Sequence, residues 1–309
     1  MALREKLFCS MAVIEVQNIS KSYGNVKALD GVSFSVERGE LFGLIGPDGA
    51  GKTTLFRLLT TLINPDSGSA TVDGYDIRDE YLAIRSRVGY MPGRFSLYPD
   101  LSVEENLQFF AAMFGVTMEE SYELIAPIYK QIEPFSKRRA GKLSGGMKQK
   151  LALSCALIHN PSVLFLDEPT TGVDAVSRNE FWDMLARLKE RGITILVSTP
   201  YMDEASRCDR IALCCEGRIL EIDTPEGIVQ GFDRPLYGIS AKNMFALLER
   251  AREVNGVVDC YPFGEKHHLV VGDGFDEKKF RNALADIEGI EISTVKPTIE
   301  DMFIKLMKR

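Results

Sequence analysis

The chain has 309 residues, 45% of them hydrophobic and 26% charged, with a net charge of −7. That length predicts two domains with buried cores, and the acidic balance argues against a nucleic-acid backbone as partner. No apolar run approaches the ~18 residues of a membrane span, and residues 1–10 carry Glu5 and lack the ~7–15-residue apolar stretch of a signal peptide.

Residues 1–12 read as a short leader, with an internal start at Met11. Residues 13–16 and 31–36 alternate as half-buried strands. The run Leu41-Phe42-Gly43-Leu44-Ile45 reads as a buried strand, and Thr54-Leu55-Phe56-Arg57-Leu58-Leu59 opens a helix. Between them, Gly46-Pro47-Asp48-Gly49-Ala50-Gly51-Lys52-Thr53 fits G-x-x-x-x-G-K-[ST], the loop that cradles nucleotide phosphates. Its glycines let successive N–H groups point at phosphate oxygens, Lys52 supplies a point charge, and the Thr53 hydroxyl is a Mg²⁺ ligand. The helix N-terminus at Thr53 and Thr54 adds a further anion site. This pattern predicts a nucleoside triphosphate as ligand.

Residues 69–78 read as a strand pair around an Asp73-Gly74 turn. From about Val103 to Glu133 the pattern becomes helical, with helix-start chemistry at Ser102-Val103-Glu104-Glu105. Strands and helices then alternate from 150 to about 222, which predicts a parallel sheet. Within that stretch Val163-Leu164-Phe165-Leu166-Asp167-Glu168 is an apolar strand ending in two acids. Asp167 is placed to hold Mg²⁺ through its water shell, and Glu168 to polarise an attacking water. Pro225, Gly227 and Pro235 mark a linker over 226–235. Residues 236–309 read strand, helix (243–254), strand, strand (268–271), helix (276–286), strand, helix, an α+β sandwich of ferredoxin-like type. His267 and His268 read as a surface pair at a strand start, since neighbours on a strand diverge. The six cysteines show no C-x-x-C spacing and read as buried reduced thiols, which predicts a reducing cytoplasm.

Leu143-Ser144-Gly145-Gly146-Met147-Lys148-Gln149-Lys150 offers a hydroxyl and two bare amides ahead of a helix, a second anion site. With this motif the chain resembles the nucleotide-binding subunit of an ABC transporter over residues 13–225. The resemblance implies an α/β P-loop NTPase cassette, a mixed-sheet core with a helical subdomain at about 100–150. It implies ATP and Mg²⁺ as cofactors and Glu168 as the catalytic base. Tyr23 matches the aromatic that stacks on adenine, and Gly172-Val173-Asp174 matches the D-loop. It also implies a dimer in which Ser144, Gly145 and Gly146 close over ATP held by the opposite subunit, and membrane permease subunits at the cytoplasmic face of the membrane. Tyr201-Met202-Asp203-Glu204-Ala205 and residues 236–309 resemble the branch serving ABC-2 type exporters of drugs, antibiotics or polysaccharides.

Two departures from the family pattern lie at the γ-phosphate end. Gly93 occupies the place of the Q-loop Gln, which contacts Mg²⁺ and the lytic water, and Pro200 the place of the switch His, which contacts the γ-phosphate. With Asp48 where Asn is usual, and with the run Gly141-Lys142-Leu143-Ser144-Gly145-Gly146-Met147-Lys148-Gln149-Lys150, the chain resembles the first ATPase half of tandem ABC-2 export subunits. The expectation is a site that binds ATP and turns it over slowly. The alternatives are a fully active ATPase in which Glu168 and water suffice, and a non-hydrolysing regulatory subunit. A soluble ABC protein of translation or DNA repair calls for fused cassettes or basic arms, which this acidic chain lacks.

Overall fold

The computed structural model describes residues 12–308, which divide after Pro225 into two compact units. Residues 1–11, which are most of the leader and include Met11, lie outside the described residues. In the first unit, β1 (Ile14–Tyr23) and β2 (Val26–Val36) form an antiparallel hairpin, and β3 (Leu41–Ile45) leads into α1 (Lys52–Leu59). Then come β4 (Ser67–Val72), β5 (Tyr75–Asp76), α2 (Tyr81–Arg85) and β6 (Val88–Met91). A helical stretch follows: α3 (Val103–Phe114), α4 (Met118–Tyr129) and α5 (Gly145–Leu157). β7 (Val163–Asp167), α6 (Ala175–Glu190), β8 (Thr194–Thr199), β9 (Arg210–Cys215) and β10 (Arg218–Asp223) complete the unit.

Every residue of β3, β7 and β8 is buried, as continuous apolar runs covered on both faces require. They lie in a six-stranded mixed sheet of order β10-β9-β3-β8-β7-β6, parallel except at the β9–β10 hairpin. A four-stranded antiparallel sheet, β2-β1-β4-β5, packs its apolar face into the same core. Asp73 and Gly74 both take positive φ in the β4–β5 turn, as the two-residue hairpin expected there demands. The parallel strands place their C-terminal ends, Ile45, Met91, Asp167 and Thr199, on one edge. Open α/β sheets bind ligands at that edge.

Ser102 and Glu105 form a capping box that starts α3, as the sequence predicts. Pro127 lies inside the last turn of α4 and lacks the N–H that would bond the Glu123 carbonyl. Arg191, just beyond α6, donates to that carbonyl at 3.2 Å and so ties α4 to the end of α6.

The second unit opens within a helix, α7 (Pro225–Gln230), which takes up residues 226–230 of the stretch read as a linker. Proline at a first helical position costs no hydrogen bond, which a reading of Pro and Gly as breakers overlooks. Beyond it lie β11 (Leu236–Ser240), α8 (Met244–Arg252), β12 (Val257–Phe263), β13 (Lys266–Val271), α9 (Glu277–Ala283), β14 (Glu291–Thr294) and α10 (Ile299–Met307). The order β12-β13-β11-β14, all antiparallel, is that of a β-α-β-β-α-β motif.

His267 and His268 are each only 6% exposed, so the expected surface pair is buried. Helices cover both faces of β13. His267 Nε2 meets the Met244 carbonyl at 2.8 Å on the α8 face, and His268 Nδ1 meets Asp301 of α10 at 2.6 Å on the other. The side chains do diverge as strand geometry requires, each into a core.

Candidate nucleotide site

The turn after β3 is built by close backbone approach. A Cβ on Gly46 would lie 2.1 Å from the Cys214 carbonyl oxygen, and one on Gly51 2.4 Å from that of Ala28. Gly51 also sits at φ 94°, a conformation that favours glycine. No side chain caps α1, so its first amides face the cleft formed by residues 48–54 together with Tyr23, Val26, Lys27, Ala28, Glu168 and Glu216. That cleft has a volume of about 550 Å³. Tyr23, at the end of β1, is 45% exposed and opens onto it; it is no core aromatic. Phe56 of α1 packs edge-on to Phe165 of β7, ring centroids 5.9 Å apart, which fixes the phosphate-loop helix against the acidic strand.

Lys52 is nearly buried, and its ammonium donates to the carbonyls of Gly46 (2.8 Å) and Pro47 (3.0 Å). Its third neighbour is Glu168 Oε1 at 3.2 Å. Asp167, at the end of β7, is 2% exposed and accepts a hydrogen bond from Ser198 Oγ at 2.8 Å. Glu168 takes a left-handed φ of 50°, and its N–H donates to Ser198 Oγ at 3.0 Å. Burial, and next the Asp167 carboxylate, push the Tyr90 phenol up to about 12, so it stays protonated beside the acids.

Gly93 and Pro200 flank these acids. A Cβ on Gly93 would stand 3.0 Å from the Asp167 carbonyl oxygen. Pro200 follows Thr199, whose carbonyl accepts from the Gly46 N–H at 3.3 Å and whose hydroxyl donates to Glu204 at 2.5 Å. Glu204 is 4% exposed and also accepts from Thr170 at 3.1 Å and Arg178 Nε at 3.1 Å. Arg178 in turn stacks over the Tyr201 ring at 4.2 Å. Sequence reading missed Ser198 and Glu204; a hydroxyl closing an apolar strand run was the signal available for the first.

Ser144, Gly145 and Gly146 do not line the phosphate-loop cleft. Ser144 Oγ caps α5 by accepting from the Met147 N–H at 3.4 Å. A Cβ on Gly146 would come within 2.8 Å of Ser177 Oγ, and one on Gly145 within 3.4 Å of the Gly172 carbonyl oxygen. The signature thus packs against the segment Gly172-Val173-Asp174 and the start of α6. Asp174 caps α6, and the Ser177 N–H it accepts at 3.0 Å holds its carboxyl below the usual range.

Residues 29–171 match the family described as ABC transporter. The probable multidrug ABC transporter ATP-binding protein YbhF of Escherichia coli is 42% identical over 218 residues, which are 70% of this chain. The match spans only 38% of that relative's length. The solved dimeric cassette MJ0796, bound to ADP and Pi, is 26% identical with a TM-score of 0.62 over 68% of this chain and 98% of its own. The Nod factor export ATP-binding protein I of Burkholderia lata is 34% identical over 97% of this chain and 98% of its own. Likeness along nearly the whole of both chains extends well beyond a phosphate loop, and this chain belongs to the ABC transporter family of ATP-binding proteins.

Proposed function

We propose that the chain is the ATPase subunit of an ABC-2 type export system, with two ATP-binding subunits closing around ATP and Mg²⁺ to drive a membrane permease. The observation that carries this reading is the separation of the two half-sites. Lys52, Thr53 and Glu168 line one cleft, and Ser144, Gly145 and Gly146 lie outside it, so a complete site needs a second subunit. The names of the relatives, a probable multidrug transporter protein and a Nod factor export protein, support export.

In this reading residues 13–225 are the ATPase domain, about 100–150 its helical subdomain and 236–309 a C-terminal extension. Tyr23 stacks on adenine, the loop from Gly46 to Thr54 wraps the phosphates, and Glu168 polarises water. Among the described residues no three His, Cys, Asp or Glu are grouped to hold a metal ion. Thr53 and Asp167 offer hard oxygens, which fits a magnesium ion completed by phosphates and water. A groove of about 450 Å³, lined by Phe95, Leu97, Phe110, Met113 and Phe114 beside Gly93, suits an apolar permease segment. The subunit then sits at the cytoplasmic face of the membrane.

Gly93 and Pro200 favour slow turnover at the chain's own phosphate loop, and a non-hydrolysing regulatory subunit is the second reading they support. The test is size-exclusion of a Glu168→Gln variant with and without ATP and Mg²⁺. The reading expects dimer only with nucleotide, abolished by Ser144→Arg. A chain that binds no ATP, or a dimer indifferent to Ser144, contradicts it.

A further inference from the structure

We propose that Ser198 positions both acids of this site and that its hydroxyl supports metal-dependent nucleotide binding, a role that rests on the ATPase reading of the cleft. Ser198 is fully buried at the end of β8, directly behind the apolar run Ile195-Leu196-Val197. A buried hydroxyl is costly unless it is bonded. Parallel pairing sets Ser198 opposite Asp167, and its hydroxyl meets both acids.

The direction of each bond is fixed by chemistry. The hydroxyl has one proton, which goes to Asp167 Oδ1 at 2.8 Å, and its oxygen accepts the Glu168 N–H at 3.0 Å. The same N–H also reaches the Ser198 carbonyl at 3.1 Å. These contacts hold Glu168 at φ 50°, a conformation that costs a non-glycine residue on the order of 1–3 kcal/mol. Held there, Glu168 turns its carboxylate to Lys52. Donation to Oδ1 fixes the Asp167 carboxylate as well. Oδ2 receives no hydrogen bond among the described residues and is left for a cation's water shell. Gly93 and Pro200 bring no polar side chain from the loops above, so the setting of both acids depends on the sheet beneath them.

The test measures ATP affinity of the full chain with Mg²⁺ and with EDTA, alongside its melting temperature. A bond to a charged group is at stake, so Ser198→Ala is expected to weaken MgATP binding about tenfold while the EDTA value moves less than about twofold. Ser198→Thr, which keeps the hydroxyl, is expected to retain most of the metal dependence. Equal weakening with and without Mg²⁺ would assign Ser198 a merely structural role and overturn the proposal, as would no change at all. If the alanine variant does not fold, Ser198→Cys makes the same comparison, since a thiol is only a weak donor. Wild-type protein that binds no MgATP contradicts the ATPase reading itself, which separates that failure from this one.

Discussion

Lys52 Nζ and Glu168 Oε1 lie 3.2 Å apart, so the phosphate-loop cation and the acid placed to activate water are each other's partner. Lys52 is held from below by the carbonyls of Gly46 and Pro47. In the proposed ATPase reading, a γ-phosphate arriving above it would compete with Glu168 for the ammonium, and its binding would free the carboxylate. Glu168→Gln removes both the competitor and the negative charge facing the phosphates. The variant is expected to bind ATP more tightly than wild type and to lose hydrolysis by about 10²–10⁴-fold, the usual contribution of a positioned base. Titration of ATP binding and steady-state phosphate release check both halves. Retained turnover would remove Glu168 from the catalytic role.

The flanking loops give a second prediction. A lost preorganised polar group at a transition state typically costs about a hundred- to a thousandfold in rate, and in the slow-turnover reading Gly93 and Pro200 leave two such places without one. Gly93→Gln with Pro200→His is expected to raise kcat by at least about tenfold. The gain is limited because a Cβ at 93 stands 3.0 Å from the Asp167 carbonyl, so the loop must shift by a few tenths of an ångström. The measurement is ATP turnover of the chain reconstituted with its partner subunit. An unchanged kcat sinks the idea that these two positions limit the site.

Glu204 is a structural keystone by its partners. Its carboxylate gathers Thr199 from the end of β8, Thr170 from the loop after β7, and Arg178 from the first turns of α6. Truncation leaves the Arg178 guanidinium, 22% exposed, without its buried counter-ion. Loss of one partner of a buried pair costs about 3–5 kcal/mol. Glu204→Ala is expected to lower stability by that order in urea unfolding, while Asp203→Ala, which removes only the 77%-exposed acid beside the same arginine, changes it little. Equal effects of the two substitutions count against a keystone role.

The legible part of this molecule was local in sequence. Residues 41–59 announce strand, loop and helix, and two of the loop's glycines, Gly46 and Gly51, are required by close backbone approach while Gly49 is required by its positive φ. Ser198 and Glu204 were illegible because their meaning is non-local: Ser198 meets Asp167 through strand register 31 residues away, and Glu204 meets Thr170 34 residues away. The histidine pair went wrong for a related reason. Alternation correctly sends His267 and His268 to opposite faces, but only the strand order reveals that β13 is central and that α8 and α10 cover both.

His159 supplies a pH-dependent prediction. Its ring stacks on Phe114, centroids 3.8 Å apart, and Nε2 meets the Val88 carbonyl at 3.1 Å, so Nε2 carries the proton. Nδ1 is buried and has no partner among the described residues. Burial lowers the pKa of this half-buried ring from its ordinary 6.5, outweighing the favourable bond to Val88. The sign follows from proton counting. Below pH 6.5 the unfolded chain gains a proton that the folded chain refuses, so stability rises with pH. The contribution is fully present above 6.5 and is lost as pH falls from there toward the lowered folded value. His159→Gln keeps a donor for Val88 and cannot titrate. Melting temperatures at about pH 7.5 and 5.5 should therefore fall less on acidification for the variant than for wild type. All other groups titrate alike in both proteins, so an identical fall in the two would show that His159 is not held neutral by its burial.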